Sequence, residues 1–246
     1  MPTRFRLVPP VAGGWRAWRR AIALGLAAVL MSFALSACAS SPGKAPGTAS
    51  VVPAPLTIDA MAGQTSALID TLGLGRPAVL GWSMGGMIAQ ALAILHPAQV
   101  RRLVLCATYP GTGAAVPPSQ AALQAGSDFP ANQVKAYTAF TAAISEYSAT
   151  HVASVAAKGA QGIASADWQD GIDATGRKVA RISVPTLIAD GTEDQLDPVA
   201  NDHILARLIP RARLVFYPDA GHGFLFQDGT TFASLVDSFL TGHPSS

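Results

Sequence analysis

A serine, a carboxylate and a histidine, which together can carry out acyl transfer, follow one another along this chain. Ser83 lies in the segment Gly81-Trp82-Ser83-Met84-Gly85, after an apolar run and before a helix-like pattern. A serine hydroxyl is a weak nucleophile at neutral pH, so it needs a base and an orienting acid. Gly81 and Gly85 permit a tight turn that exposes the hydroxyl. The pattern predicts Ser83 as a nucleophile, with the Met84 amide as an oxyanion-hole donor.

The candidate acid and base follow two later strand-like runs. Asp194 comes after residues 185–189, and His222 comes after residues 213–217. Both therefore lie past the carboxyl end of a strand, where open α/β sheets collect their ligands. The order serine, acid, histidine is that of hydrolases with a strand–turn–helix nucleophile.

Three other carboxylates compete for the acid position. Asp190, Glu193 and Asp197 lie in the same loop, and the spacing favours Asp194 without excluding them. Asp190 is expected at the strand end. Asp197, which precedes Pro198, is expected to be the N-cap of the next helix.

The remaining histidines and Cys106 are interpreted as structural. His96 closes a predicted helix, His151 and His203 fall on predicted helices, and His243 lies in the tail. Cys106 ends an apolar run and is expected to be a small buried side chain.

The rest of the pattern alternates strands with helices, which predicts a parallel sheet with helices on both faces. Strands are predicted at 78–81, 102–106, 185–189 and 213–217, and helices at 58–72, 84–95, 198–208 and 229–240. Residues 109–180 break this alternation. They carry a Pro- and Gly-rich stretch and then helical runs at 133–148 and 151–161, which predicts a helical insertion that is either a cap over the pocket or a loose connection.

On these residues the chain resembles the α/β-hydrolase family, particularly its small esterase, haloperoxidase-like and C–C hydrolase branches. The resemblance runs from about Thr57 to Leu240. It implies that Ser83 is the nucleophile, His222 the general base and Asp194 the carboxylate that orients the imidazole. The implied reaction is cleavage of an ester or related acyl bond in a small substrate, without a cofactor or metal.

The resemblance also implies strands ahead of residue 61 that the short stretch 38–55 cannot encode, so residues 56–246 are predicted to form a truncated α/β-hydrolase domain. The second oxyanion donor, from the loop after the third strand, has no counterpart. Losing one such donor typically lowers turnover about 100- to 1,000-fold. The alternative function is therefore a non-catalytic or degraded relative, a binding lipoprotein or the product of an internally deleted gene.

The strand at 78–81 would form an exposed edge, because the strand that would pair with it is missing. This predicts self-association.

Residues 1–37 are typical of a bacterial lipoprotein signal peptide. A basic segment at 16–20 precedes an apolar segment at 21–35, and Leu35-Ser36-Ala37-Cys38 resembles a lipobox. This implies that Cys38 is acylated, that residues 38–55 form a flexible tether, and that the protein is anchored in the bacterial cell envelope. The anchor would lie on the outer side of the cytoplasmic membrane or in the outer membrane. Twin-arginine export through Arg19-Arg20 and an uncleaved anchor helix remain open alternatives.

The charge distribution gives no indication of nucleic acid as a partner, and none is expected. The chain has 17 basic and 15 acidic residues, but five of the basic residues precede residue 38. The remainder carries 12 basic against 15 acidic residues, a net charge of −3.

No intramolecular disulfide is expected. With Cys38 acylated, Cys106 has no partner to form one.

We predict that Cys38 carries the lipid. Metabolic labelling with a palmitate analogue should mark the wild-type protein but not Cys38→Ala, because the acylated thiol is absent from the variant. Label in both proteins would contradict the prediction.

Overall fold

The computed structural model describes residues 55–125, 137, 138, 141 and 154–242, and within them four parallel strands form one sheet. The strands lie in the order of the sequence: β1 (Ala78–Trp82), β2 (Arg102–Cys106), β3 (Thr186–Gly191) and β4 (Ala212–Tyr217).

The register brings the carboxyl ends of the strands to one edge of the sheet. Trp82 lies opposite Cys106, and Gly191 lies opposite Tyr217. Cys106 pairs with Ala189, so β3 continues two residues beyond β2. The loops that carry the predicted site residues therefore begin at the same edge.

Helices cover both faces of the sheet. They are α1 (Ile58–Thr71), α2 (Met84–Leu95), α3 (Gln120–Ala125), α4 (Val155–Gln169), α5 (Ala200–Leu208), α6 (Phe224–Gln227) and α7 (Gly229–Thr241), with 3-10 turns at Pro97–Gln99 and Gly176–Arg181. Alternate strand residues supply the two cores. Leu103 and Ile188 pack with α1, α2, α4 and α5, whereas Val104 and Leu187 pack with α6 and α7.

The predicted fold class is confirmed: an α/β protein with four parallel strands, helices on both faces and a helical insertion between β2 and β3. The predicted strand bounds agree with the observed ones to within two residues.

The helix predicted at 151–161 differs more from the observed one. It begins at Val155, where the Ser154 hydroxyl accepts a hydrogen bond of 3.1 Å from the Ala157 amide, and it continues to Gln169. Buried Trp168 anchors this extension.

The predicted signal peptide, the acylated Cys38 and most of the tether lie outside the described residues. So does most of the helix predicted at 133–148, although residues 137, 138 and 141 are helical. Within the described ranges, no helix combines the length and the apolar character needed to cross a bilayer.

We predict that the protein self-associates through β1. Among the described residues β1 pairs with β2 on one side and with no strand on the other. Ala78 and Val79 are 1% and 0% exposed, backbone included, so this edge is covered and not exposed as the sequence predicted, and association through it requires the edge to open. Unpaired strand edges pair with other chains. Sedimentation velocity of the full-length chain in mild detergent should show dimers or larger species as concentration rises. A monomer at every concentration would contradict this prediction.

Candidate active site

The backbone reverses sharply at Ser83. β1 ends at Trp82 and α2 begins at Met84, which leaves Ser83 alone in the turn with φ of 55° and ψ of −126°. A Cβ on Gly81 would lie 2.2 Å from the Gly85 carbonyl oxygen, so the turn requires glycine at position 81. Met84 is the first residue of α2, and its amide is among those that a helix leaves without an internal acceptor.

Strand β2 and the residues after it support this turn. The Ser83 amide donates to the Cys106 carbonyl at 2.9 Å, and the Thr108 hydroxyl donates to the Ser83 carbonyl at 2.7 Å. Gly86 lets Thr108 approach, because a Cβ there would lie 2.5 Å from the threonine side chain. The strained serine is therefore held from two sides.

His222 is paired directly with Asp194. The imidazole Nδ1 lies 2.7 Å from Asp194 Oδ2, and both residues are 7% exposed. The other carboxylate oxygen, Oδ1, accepts hydrogen bonds of 2.8 Å from the amides of Leu196 and Asp197. In this pair the carboxylate oxygen accepts the hydrogen bond and the imidazole donates it from Nδ1. Nε2 of the neutral ring then has a free lone pair and can accept a proton.

Of the four candidate acids, Asp194 is the one that the structure places against His222. Asp190 lies within β3 and accepts a hydrogen bond from the Gly191 amide, and the Glu193 amide donates to the Ala220 carbonyl. The N-cap interpretation of Asp197 is wrong. Val199 occupies the N-cap of α5, and buried Asp197 accepts a hydrogen bond of 2.8 Å from the Asn201 side chain.

Three further carboxyl groups are buried beside Asp194. Asp190, Asp197 and Asp202 are each 0% exposed. Burial raises the pKa of Asp190 and of Asp197 far above the ordinary range, and mutual repulsion among the carboxylates adds to this. Burial also raises the pKa of Asp202 to about 7, and a hydrogen bond from Asp190 opposes that rise. Burial therefore favours the protonated form of Asp190 and of Asp197.

The contacts of the histidines predicted to be structural involve other residues. His96 ends α2 and contacts Ser66 Oγ at 3.3 Å, and His203 packs against Phe216. Cys106 is a buried free cysteine whose pKa is raised by burial. His151 and His243 lie outside the described residues.

Sequence reasoning missed Trp82, Thr108, Gly86 and Asp202. Trp82 donates a hydrogen bond of 2.9 Å from Nε1 to the His222 carbonyl, across 140 residues of sequence. No local pattern marks a contact of that kind. Asp202 did leave a signal, because it shares a helical stripe with Leu205, a position that predicts burial.

The described part of the chain contains no group of three or more histidine, cysteine, aspartate or glutamate side chains arranged to hold a metal ion. Its reactive groups are a serine on a strained turn and a histidine with a carboxylate on Nδ1, at the same edge of a parallel sheet. Hydrolases that form acyl-enzymes use this set of groups.

The chain belongs to the alpha/beta hydrolase family, whose sequence model matches residues 7–235. It is 30% identical over 203 residues to a pimeloyl-[acyl-carrier protein] methyl ester esterase of Neisseria meningitidis, a match that covers 76% of this chain and 77% of the esterase. It is 33% identical over 208 residues to the polyketide synthase ThaQ of Burkholderia thailandensis, a match that covers 76% of this chain but 10% of the synthase. The enol-lactonase of Burkholderia xenovorans has a similar structure, with a TM-score of 0.58 and 27% identity over 76% of this chain and 74% of the lactonase.

We predict that Asp202 makes stability fall as pH rises from about 4 to about 7. An aspartate in an unfolded chain titrates near about 3.9, whereas the pKa of Asp202 in the folded protein is raised to about 7. Between these values the folded state binds more protons than the unfolded state, so its free energy of unfolding decreases with pH.

Asp202→Asn removes this effect, because the amide has nearly the same shape and does not titrate. Urea unfolding at pH 8 should show the variant more stable than the wild type by on the order of 1 kcal/mol, with little difference at pH 4. Asp237→Asn on the exposed surface of α7 is the matched control. An equal change at both pH values would contradict the assignment.

Proposed function

We propose that this protein is a serine hydrolase that cleaves an ester or related acyl bond. The observation that carries the proposal is the Asp194–His222 pair, 2.7 Å between Oδ2 and Nδ1, linked by Trp82 to the strand that immediately precedes Ser83. The names of similar proteins, a methyl ester esterase and an enol-lactonase, support an acyl substrate.

In the proposed reaction His222 Nε2 takes the proton from Ser83 Oγ as the oxygen attacks the substrate carbonyl carbon. The Met84 amide donates a hydrogen bond to the oxygen that becomes negatively charged. His222 then gives the proton to the departing alcohol, which leaves an acyl group on Ser83. Water, activated by the same imidazole, releases the acid, while Asp194 keeps the ring oriented and stabilises its positive charge.

We further propose that acylated Cys38 tethers this hydrolase to the bacterial cell envelope, with the folded domain joined to the lipid by the stretch up to residue 55. The basic segment, the apolar segment and the lipobox-like sequence support this location. A small acyl substrate would then be met outside the cytoplasm.

The competing function is that of a non-catalytic relative, favoured by the absence of a sequence counterpart for the second oxyanion donor. With the Met84 amide as the one donor assigned, turnover should be about 100- to 1,000-fold lower than with two. Formation of a covalent adduct on Ser83 separates the two functions, since it needs the activated nucleophile but not repeated turnover.

We predict that a fluorophosphonate labels Ser83, because an imidazole that removes its proton makes this hydroxyl reactive. Mass spectrometry should locate the adduct on Ser83, and Ser83→Ala and His222→Ala should each abolish it. Ser234→Ala, which removes an exposed hydroxyl on α7, should be labelled like the wild type. A folded wild-type protein that takes up no label would overturn the proposal in favour of the non-catalytic function.

A further inference from the structure

The loops that carry the acid and the base form one unit. The Glu193 amide donates to the Ala220 carbonyl at 2.8 Å, and the Asp219 amide donates to the Thr192 hydroxyl at 3.0 Å. Gly191 lies so close to Ala220 that a Cβ would be 2.2 Å from its carbonyl oxygen. Because β3 and β4 are adjacent, these contacts fix the acid loop and the base loop relative to each other.

The nucleophile lies on a more distant strand. β1 is separated from β3 by β2, so the sheet connects Ser83 to the acid and base loops only through an intervening strand. A small twist of the sheet would change the distance between the serine and the histidine while leaving the Asp194–His222 pair intact. A direct connection across this gap would keep the two halves of the site in register.

Trp82 makes that connection. Its indole Nε1 donates a hydrogen bond of 2.9 Å to the carbonyl oxygen of His222, and the indole and imidazole rings lie 5.3 Å apart. Phe226 packs edge-on against the indole at 5.4 Å. Trp82 is joined to Ser83 by one peptide bond, so one residue links the nucleophile's backbone to the backbone of the base.

We propose that Trp82 is a positioning residue, which sets the place of the His222 imidazole relative to Ser83 through the indole N–H. The inference rests on the proposed hydrolase function. Without this hydrogen bond His222 keeps its carboxylate partner, but the Asp194–His222 pair loses its direct link to β1 and can shift relative to the serine. Displacements of about 1 Å at a reacting centre can lower rates about 100-fold.

The test measures covalent modification of Ser83 by a fluorophosphonate in the full-length protein, with the maximal rate of modification (kinact) and the half-saturating concentration (KI) determined separately. Trp82→Phe keeps an aromatic ring and removes the N–H donor. We expect kinact to fall about 10- to 100-fold while KI changes less than about twofold, because positioning affects the reaction rather than binding. Phe226→Leu is the matched control, since it disturbs the same packing and leaves the hydrogen bond in place.

A second variant is needed if Trp82→Phe does not unfold cooperatively, which would mean that the substitution disrupts the fold. Replacing Trp82 by 3-benzothienylalanine, which has sulfur in place of the indole N–H, preserves shape and should lower kinact to a similar extent. An unchanged kinact in the folded variant, or an equal fall in Phe226→Leu, would overturn the inference. Absence of Ser83 labelling in the wild-type protein would instead refute the hydrolase function itself.

Discussion

The site depends on the sharp reversal of the backbone at Ser83. A positive φ of 55° at a serine is a conformation that costs on the order of 1–3 kcal/mol. Packing of β1 against α2 maintains it, because the Gly85 carbonyl sits where a side chain on Gly81 would be. Thr108 holds the Ser83 carbonyl from the next strand. The same packing that buries Val79 in the core thus keeps the serine in its turn.

The second constraint is electrostatic, since four carboxyl groups share a region from which water is excluded. Asp194 accepts hydrogen bonds from two amides and from His222, a set of donors that stabilises a carboxylate anion. Asp190 and Asp197 lack such a set, and burial raises the pKa of each. The backbone amides of the acid loop therefore decide which carboxyl group in the cluster is suited to pair with an imidazole.

The strands and the order of the reactive residues could be predicted because their signals are local. Apolar runs that begin after Pro77 and Pro185 mark β1 and β3, and the turn at Ser83 has a recognisable glycine pattern. The contacts that complete the site are not local. Thr108 reaches the Ser83 carbonyl across 25 residues, and Trp82 reaches His222 across 140. Such contacts follow from strand order and register, which a single sequence leaves open.

Hydrogen bonds connect the helix that follows Ser83 to the strand that precedes it by a path through several loops. From α2 to β1 the path runs through Gln90, Tyr109, Leu196, Asp194, His222 and Trp82. Tyr109 also accepts a hydrogen bond of 3.2 Å at its carbonyl from Trp168 of α4, so the base of the cap insertion joins the same path. Since every internal member is held from two sides, the Asp194–His222 pair takes its position from a closed frame that begins and ends next to Ser83. Hydrogen bonds of this kind restrain side chains on loops, which otherwise position reactive groups less precisely than helices and strands do.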